Sequence, residues 1–179
     1  MSASALASDS TQAVIDSPIG PLTLVVADGT LTGLYMDRQR HRPSASTIGR
    51  TMTRAVRADA PAAEAARQLR EYFDGERTEF DVPLGLAGTP FQQRVWAALR
   101  RIPYGETVSY GELATQIGQP GAARAVGLAN GRNPIAIIVP CHRVVGSDGS
   151  LTGYGGGLER KRHLLAFEEK VRRTGRHPG

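Results

Sequence analysis

The chain has 179 residues, a net charge of +5, 40% hydrophobic residues and one cysteine. This composition fits one average domain or two small lobes that share a core, and it excludes collagen-like and extended acidic chains. A single cysteine excludes an internal disulfide and multi-cysteine metal clusters, and no apolar run approaches the ~20 residues of a membrane helix. We therefore expect a cytoplasmic protein with no metal, no other cofactor and no membrane contact.

The positive charge lies in the second half of the chain. Residues 91–179 hold 13 basic and 6 acidic residues, whereas residues 1–90 hold 9 and 11. This asymmetry favours an anionic partner for the second half, with nucleic acid as the first candidate. Because 20 of the 22 basic residues are arginine, a compositional bias of the genome is the alternative explanation.

The first half predicts a small α/β lobe over residues 13–87, preceded by a disordered segment, residues 1–12. Two strands flank an Asp28-Gly29 turn, which is typical of a tight hairpin. A stripe of alanine, leucine and aromatic residues then predicts an amphipathic helix. The predicted elements are strands at 21–27 and 31–36, a long loop at 37–53, a helix at 61–73 and an edge strand at 80–86.

The second half predicts a helical lobe over residues 88–173, followed by a disordered tail, residues 174–179. Thr89 with Gln92 and Ser109 with Glu112 form capping boxes, which mark helix starts. Two short helices, 110–117 and 122–130, flank a Gly/Pro turn. This pattern predicts a helix-turn-helix, although many such pairs only pack against each other. A buried strand at 135–139, a hairpin around 146–149 and a helix at 158–173 complete the lobe.

Cys141 is the first candidate for chemistry. It follows Pro140 at the end of an apolar run and precedes His142. A thiolate is the reactive form of cysteine, and a histidine can take the thiol proton. A lone cysteine can equally be a small, inert core residue. If the two side chains lay on a regular strand they would point to opposite faces, so contact requires a bend or a bridging water.

Three other features are ambiguous from the pattern alone. The glycines of residues 153–157 allow a flat ligand to approach the backbone closely, but they also suit a flexible connector. Glu168 could orient a histidine from the apolar side of the last helix, although a solvated Glu168-Glu169 pair is the simpler interpretation. Arg124 lies among small residues, which would allow close approach to a duplex, or it is an ordinary exposed arginine.

The sequence resembles the O6-alkylguanine-DNA alkyltransferase family over most of residues 17–168. The resemblance rests on an ordered set of motifs rather than on one signature. These motifs are FQQRVW at 91–96, IPYGET at 102–107, SY at 109–110, ARAVG at 123–127, NP at 133–134, PCHRV at 140–144 and YGGGL at 154–158.

This resemblance implies a fold and a reaction. The fold is a small RNase H-like α/β N-terminal lobe followed by a helical lobe with a helix-turn-helix. The reaction is DNA repair by direct reversal: the protein flips a damaged guanine out of double-stranded DNA and moves the alkyl group from O6 irreversibly to its own cysteine, once per molecule. Some family members bind zinc through cysteines in the N-terminal lobe, but this chain has none there.

The resemblance also implies residue roles. Cys141 corresponds to the alkyl acceptor, His142 to a water-mediated base, Glu168 to its carboxylate partner and Asn133 to the residue that braces the turn. Tyr110 corresponds to the tyrosine that donates toward guanine N3, and Arg124 to the arginine that fills the vacated place in the base stack. The remaining implied positions are Val144, Tyr154, Gly155 and Gly156 for the guanine and Ala123, Ala125 and Gly127 for the DNA.

Three other functions compete with this interpretation. A non-catalytic lesion binder of the same fold would lack the cysteine, so Cys141 argues against it. A Cys-His hydrolase would show turnover, and a transcription regulator would prefer one operator sequence. We expect a monomer, and the sequence leaves open whether it binds DNA cooperatively.

Overall fold

The computed structural model describes residues 10–40, 50–51 and 61–175. The N-terminal part of this region is a four-stranded sheet in the order β3-β2-β1-β4. β1 runs antiparallel to β2 and parallel to β4, and β2 runs antiparallel to β3. The strands are β1 (Thr11–Ile15), β2 (Leu22–Ala27), β3 (Thr30–Met36) and β4 (Arg50–Thr51).

The hairpin between β2 and β3 confirms the predicted turn. Asp28 and Gly29 have φ values of 51° and 75°, the left-handed conformation that a two-residue hairpin loop requires. Helix α1 (Pro61–Phe73) contacts the sheet. Its predicted apolar stripe, which includes Leu69 and Tyr72, is buried in the core.

The C-terminal part is mainly helical, and both predicted capping boxes are present. The helices are α2 (Pro90–Leu99), α3 (Tyr110–Gln116), α4 (Ala123–Gly131) and α5 (Leu158–Thr174). Thr89 accepts from the Gln92 amide at 3.1 Å, and Ser109 does the same for Glu112 at 3.0 Å. The Trp96 indole of α2 donates to the Ala129 carbonyl of α4 at 2.9 Å. α4, which carries Arg124, is therefore fixed to the core.

Two predicted strands are wrong. Residues 80–86 contribute only one bridge residue, Leu84. Residues 135–139 contribute only Ile135, after which the chain turns back through Ile137 at φ 71°. Here the Val139 amide donates to the Ile135 carbonyl at 3.0 Å instead of to a neighbouring strand. Burial explains the apolar run, and local hydrogen bonds replace the sheet ladder that the run resembled.

The predicted hairpin around residues 146–149 is also wrong. β6 (Val144–Val145) pairs in parallel with β5 (Val108–Ser109), which comes from the region before α3. Of the predicted hairpin, the structure contains only the turn, in which the Gly146 amide donates to the Ser150 carbonyl at 2.8 Å. The partner of β6 lies far away in the sequence, so the assumption that β6 pairs with the next segment of the chain was wrong.

The ends of the chain are ordered further than predicted. β1 includes Thr11 and Gln12, and α5 includes Thr174, all three of which were predicted to be disordered. The predicted disorder of residues 1–9 and 176–179, and the parts of the predicted loop at 41–49 and 52–53, lie outside the described residues. In the part of the chain that the structure describes, no helix is long and apolar enough to cross a membrane.

Candidate active site

The Asn133 side chain makes two hydrogen bonds that position the loop carrying Cys141. The Asn133 amide nitrogen donates to the Val139 carbonyl at 2.7 Å, and its oxygen accepts from the Ile135 amide at 3.0 Å. Asn133 is buried, so these bonds are protected from competing water. Cys141 then begins a single turn of 3₁₀ helix, Cys141–Arg143, so the chain bends here instead of continuing as a regular strand.

The Cys141 thiol is almost completely buried, with 5% of the residue exposed. Burial raises its pKa above the ordinary value, although a hydrogen bond from Asn133 and the charge of Lys161 act in the opposite direction. The thiol is therefore protonated at neutral pH, and a reaction that uses the thiolate needs a base.

The structure places Glu168 on the buried face of α5, next to His142. The His142 Nε2 and Glu168 Oε2 atoms are 2.7 Å apart, and both side chains are completely buried. Arg143 donates to both carboxylate oxygens, at 2.8 and 3.0 Å. Two further donors are the Tyr72 hydroxyl at 2.6 Å and the Gly105 amide at 3.3 Å. The interpretation of Glu168 as a solvated residue is wrong.

This environment fixes the protonation of the pair. Burial alone would raise the pKa of Glu168, but the contacts with His142 and Arg143 hold it well below the ordinary value. Burial lowers the pKa of His142, which outweighs the attraction of Glu168. An ionised carboxylate only accepts, so Nε2 of a neutral His142 carries the proton. Nδ1 is then a free base, and it has no hydrogen-bond partner among the described residues.

A cavity of only 10 Å³ adjoins Cys141, which is room for about one water molecule. The Arg40 amide donates to the Gly155 carbonyl at 2.7 Å and ties the segment after β3 to the glycine-rich loop. A Cβ at Gly156 would collide with Met36 Sδ, so this glycine is required by close packing. The cavity would have to open to admit any organic ligand. Its lining residues are Gln39, Asn130, Gly131, Asn133, Ala136, Cys141, Tyr154, Gly155 and Gly156.

Two of the predicted substrate groups already have partners. The Tyr110 hydroxyl donates to the Thr152 carbonyl at 3.0 Å. The Val144 carbonyl accepts from Lys161 Nζ at 2.6 Å, and Lys161 also donates to the Thr152 carbonyl at 2.9 Å. Lys161 is completely buried, and burial lowers its pKa to about 8. Tyr110 would therefore have to exchange its Thr152 partner before its hydroxyl could donate to a substrate.

Helix α4 presents a different kind of surface. Arg124 and Ala125 are exposed, and Ala123 and Gly127 are half-buried. Leu128 lies one turn after Arg124 with 70% of its surface exposed. The face thus combines one cation, small residues and one large apolar side chain.

Sequence reasoning missed four residues that contact this site: Tyr72, Asn130, Arg143 and Lys161. The spacing of Lys161, Leu164, Glu168 and Val171 is helical, and all four are buried on one face of α5. Treating charged residues as members of that stripe would have found Lys161 and would have indicated that Glu168, already a candidate, is buried. The contact between Tyr72 and Glu168 spans 96 residues, and no local pattern indicates it.

No group of three or more His, Cys, Asp or Glu side chains suited to a metal occurs in residues 10–40, 50–51 and 61–175. Cys141 is followed in the chain by a histidine whose Nδ1 is unprotonated and whose Nε2 is held by a carboxylate. This arrangement defines a class of protein that uses a single cysteine as a nucleophile, with a histidine–carboxylate pair behind it.

Comparisons with known proteins identify the family. Residues 11–86 match the ribonuclease-like domain of 6-O-methylguanine DNA methyltransferase, and residues 90–170 match its DNA-binding domain. The chain belongs to the 6-O-methylguanine DNA methyltransferase family. The predicted α+β fold with a ribonuclease-like N-terminal part is thereby confirmed.

Individual relatives are similar over nearly their whole length. The methylated-DNA–protein-cysteine methyltransferase of Mycolicibacterium paratuberculosis is 61% identical over 87% of this chain and 90% of its own. The constitutive enzyme of that name from Bacillus subtilis is 45% identical over 86% of this chain and 92% of its own length. The crystal structure of Mycobacterium tuberculosis OGT in complex with DNA superposes with a TM-score of 0.80. The match covers 90% of this chain and 94% of that chain, with 57% sequence identity.

Proposed function

We propose that this protein repairs O6-alkylguanine in double-stranded DNA by moving the alkyl group to Cys141. The observation that carries the proposal is the free Nδ1 of a buried, neutral His142 one residue from a buried thiol. Membership of the 6-O-methylguanine DNA methyltransferase family, and the names of the relatives, supply the substrate class.

The reaction is a single displacement at the alkyl carbon. The Cys141 thiol gives its proton to His142 Nδ1 through a water, since no described residue contacts Nδ1 directly. The sulfur then forms a bond to the alkyl carbon as the bond from that carbon to O6 breaks. Tyr110 donates a proton toward N3 so that the guanine leaves neutral, and the proton that His142 took from the thiol then returns to the Tyr110 oxygen through water. Because the thioether has no leaving group that water can displace readily, each molecule reacts once.

Glu168 and Asn133 support this step without contacting the substrate. Glu168 stabilises the imidazolium that forms when His142 accepts the proton, and it keeps the ring in one orientation. Asn133 holds the turn that presents Cys141. Tyr154, Gly155 and Gly156 line the cavity where the alkyl group would sit. The carbonyls of Val144 and Cys141, which accept from Lys161 and Asn130 in this structure, would accept from the guanine amino group.

The DNA is bound by the helix pair α3 and α4, which we propose to act as a helix-turn-helix. The lesion lies inside a duplex, so the base must be flipped out, and an inserted side chain offsets part of the cost of unstacking. Arg124 is exposed on α4 among the small residues Ala123, Ala125 and Gly127, so it can enter the stack. The net charge of +7 on residues 91–179 favours phosphate contacts that are independent of sequence.

The remaining features of the proposal concern organisation. We propose an N-terminal lobe at residues 13–87 and a C-terminal lobe at 88–173, in a monomer that acts in the cytoplasm. The first family match ends at residue 86 and the second begins at residue 90, which supports this boundary.

Intact-protein mass spectrometry after incubation with duplex DNA that contains O6-methylguanine tests the function. The mass should rise by one methylene, and peptide mapping should place it on Cys141, with one event per molecule. Cys141→Ala is the control, which should bind the DNA and gain no mass. Repeated turnover without a mass change would support a hydrolase instead, and a methyl group on any other residue would also refute the proposal.

A further inference from the structure

The Glu168 carboxylate receives a hydrogen bond from the other lobe of the molecule. Tyr72 belongs to α1, which packs on the sheet, and its hydroxyl donates to Glu168 Oε2 at 2.6 Å. The same oxygen accepts from His142 Nε2 at 2.7 Å and from Arg143 Nη2 at 3.0 Å. Tyr72, His142 and Glu168 are all completely buried. One carboxylate oxygen thus joins the sheet lobe to the histidine.

We propose that Tyr72 is a positioning residue for the His142–Glu168 pair, through which the N-terminal lobe sets the basicity of His142 without touching the substrate. This inference rests on the proposed function. Burial, reinforced by the negative charge of Glu168, raises the pKa of Tyr72 well above its ordinary value. Its hydroxyl therefore remains protonated and keeps donating across the working pH range.

The ring and the hydroxyl of Tyr72 have separable roles. The ring lies in an aromatic cluster, with centroid distances of 5.0 Å to Phe73, 5.6 Å to Phe80 and 5.7 Å to Phe167. Phenylalanine would keep this packing. The hydroxyl has Glu168 as its partner, and a charge-assisted bond of this kind is stronger than one between neutral groups. The hydroxyl is therefore the part that acts on the carboxylate.

Tyr104 provides an internal control. Its ring centroid lies 6.1 Å from that of Tyr72, in the same cluster. Its hydroxyl is also buried, but it has no hydrogen-bond partner among the described residues. Tyr72→Phe and Tyr104→Phe therefore remove the same atom from neighbouring rings, and only the first removes a bond to Glu168.

The loss of this bond has a predictable direction. A donor on Oε2 withdraws negative charge from the oxygen that faces His142, so its removal strengthens the attraction for an imidazolium and raises the pKa of His142. The carboxylate also loses one of the contacts that fix its orientation. We expect methyl transfer by Tyr72→Phe to be about tenfold slower, the lower end of the loss measured when the hydrogen-bond partner of a metal-bound histidine is removed.

The experiment combines single-turnover methyl transfer from O6-methylguanine duplex with an NMR titration of ¹⁵N-labelled histidine. In Tyr72→Phe, the His142 titration and the acid limb of the rate profile should both move to higher pH, whereas Tyr104→Phe should match wild type. Tyr72→p-aminophenylalanine keeps a weaker donor and should fall between wild type and Tyr72→Phe; if Tyr72→Phe does not fold, this variant carries the test. An unchanged His142 titration in the folded position-72 variants would overturn the proposal, as would an equal shift in Tyr104→Phe. If wild type transfers no methyl group, the proposed function fails, while the NMR result still decides the role of Tyr72.

Discussion

The surroundings of Glu168 and the outer face of α4 follow opposite physical rules. Glu168 is completely buried, and donors from both lobes occupy its two oxygens. The outer face of α4 is exposed, with small residues around Arg124 and Leu128. Chemistry on a buried thiol needs fixed protons and little water, whereas a surface that binds any DNA sequence needs free charge and room for a backbone to approach. We therefore expect substitutions in the two regions to damage different measurements.

The largest effect should come from Glu168→Gln. This change keeps the shape of the side chain but leaves the buried Arg143 guanidinium without its counter-charge, which should destabilise the fold by about 3–5 kcal/mol. Methyl transfer should also be lost. Denaturant unfolding measures the first effect.

Glu169→Gln is the matched control for this prediction. Glu169 is the next residue, its side chain is 66% exposed, and it forms an ion pair with Arg173 on the same helix. This change should alter stability by less than about 0.5 kcal/mol. Similar losses for both variants would contradict the account of a buried, fully occupied carboxylate.

His142→Ala should remove the base and, because the ring is completely buried against Glu168, should also destabilise the fold. Transfer should slow by roughly 10²–10⁴-fold, because the thiol loses its proton acceptor. In wild type, the rate should fall as the pH drops through the pKa of His142, which burial places below the ordinary value. Without this histidine, the rate should instead keep rising toward the raised pKa of the Cys141 thiol. A pH–rate profile identical to wild type would exclude His142 as the base.

The smallest effect should come from Leu128→Ala. An exposed leucine one turn from Arg124 can cover apolar sugar surface in a DNA groove, so its loss should weaken duplex binding by about 1 kcal/mol, roughly fivefold in Kd. Leu158→Ala is the control, since Leu158 is another exposed leucine, 43% exposed, at the start of α5. Equal changes in Kd for the two variants would remove Leu128 from the DNA interface.

Local elements and long-range contacts differ in how far the sequence predicts them. The helix starts at Thr89 and Ser109 carry local capping signals, and the structure has both. Pairing between distant segments has no such signal. The apolar run at 135–139 therefore suggested a strand, although Asn133 closes it into a loop, and Val144 suggested a hairpin, although its partner is Val108.

The candidate site shows the same division. A motif indicates Cys141 and His142, whereas the pattern left Glu168 open between a histidine partner and a solvated residue, and the resemblance to a family favoured the first. Tyr72 contacts that carboxylate only because α1 packs against the C-terminal part, and the contact depends on the complete fold. Residues that hold a functional group from a distance are for this reason the hardest to find from sequence.

Transfer rates from two substrates, O6-methylguanine in duplex DNA and the free base O6-benzylguanine, test the separation of the two regions most directly. Arg124→Ala should slow repair of the duplex strongly and reaction with the free base little, because a free base does not need to be flipped. His142→Ala should slow both substrates by similar factors, since the same thiol reacts in each case. Equal losses on the two substrates for Arg124→Ala would mean that this arginine supports the cavity or the fold, and would contradict the separation of recognition from chemistry.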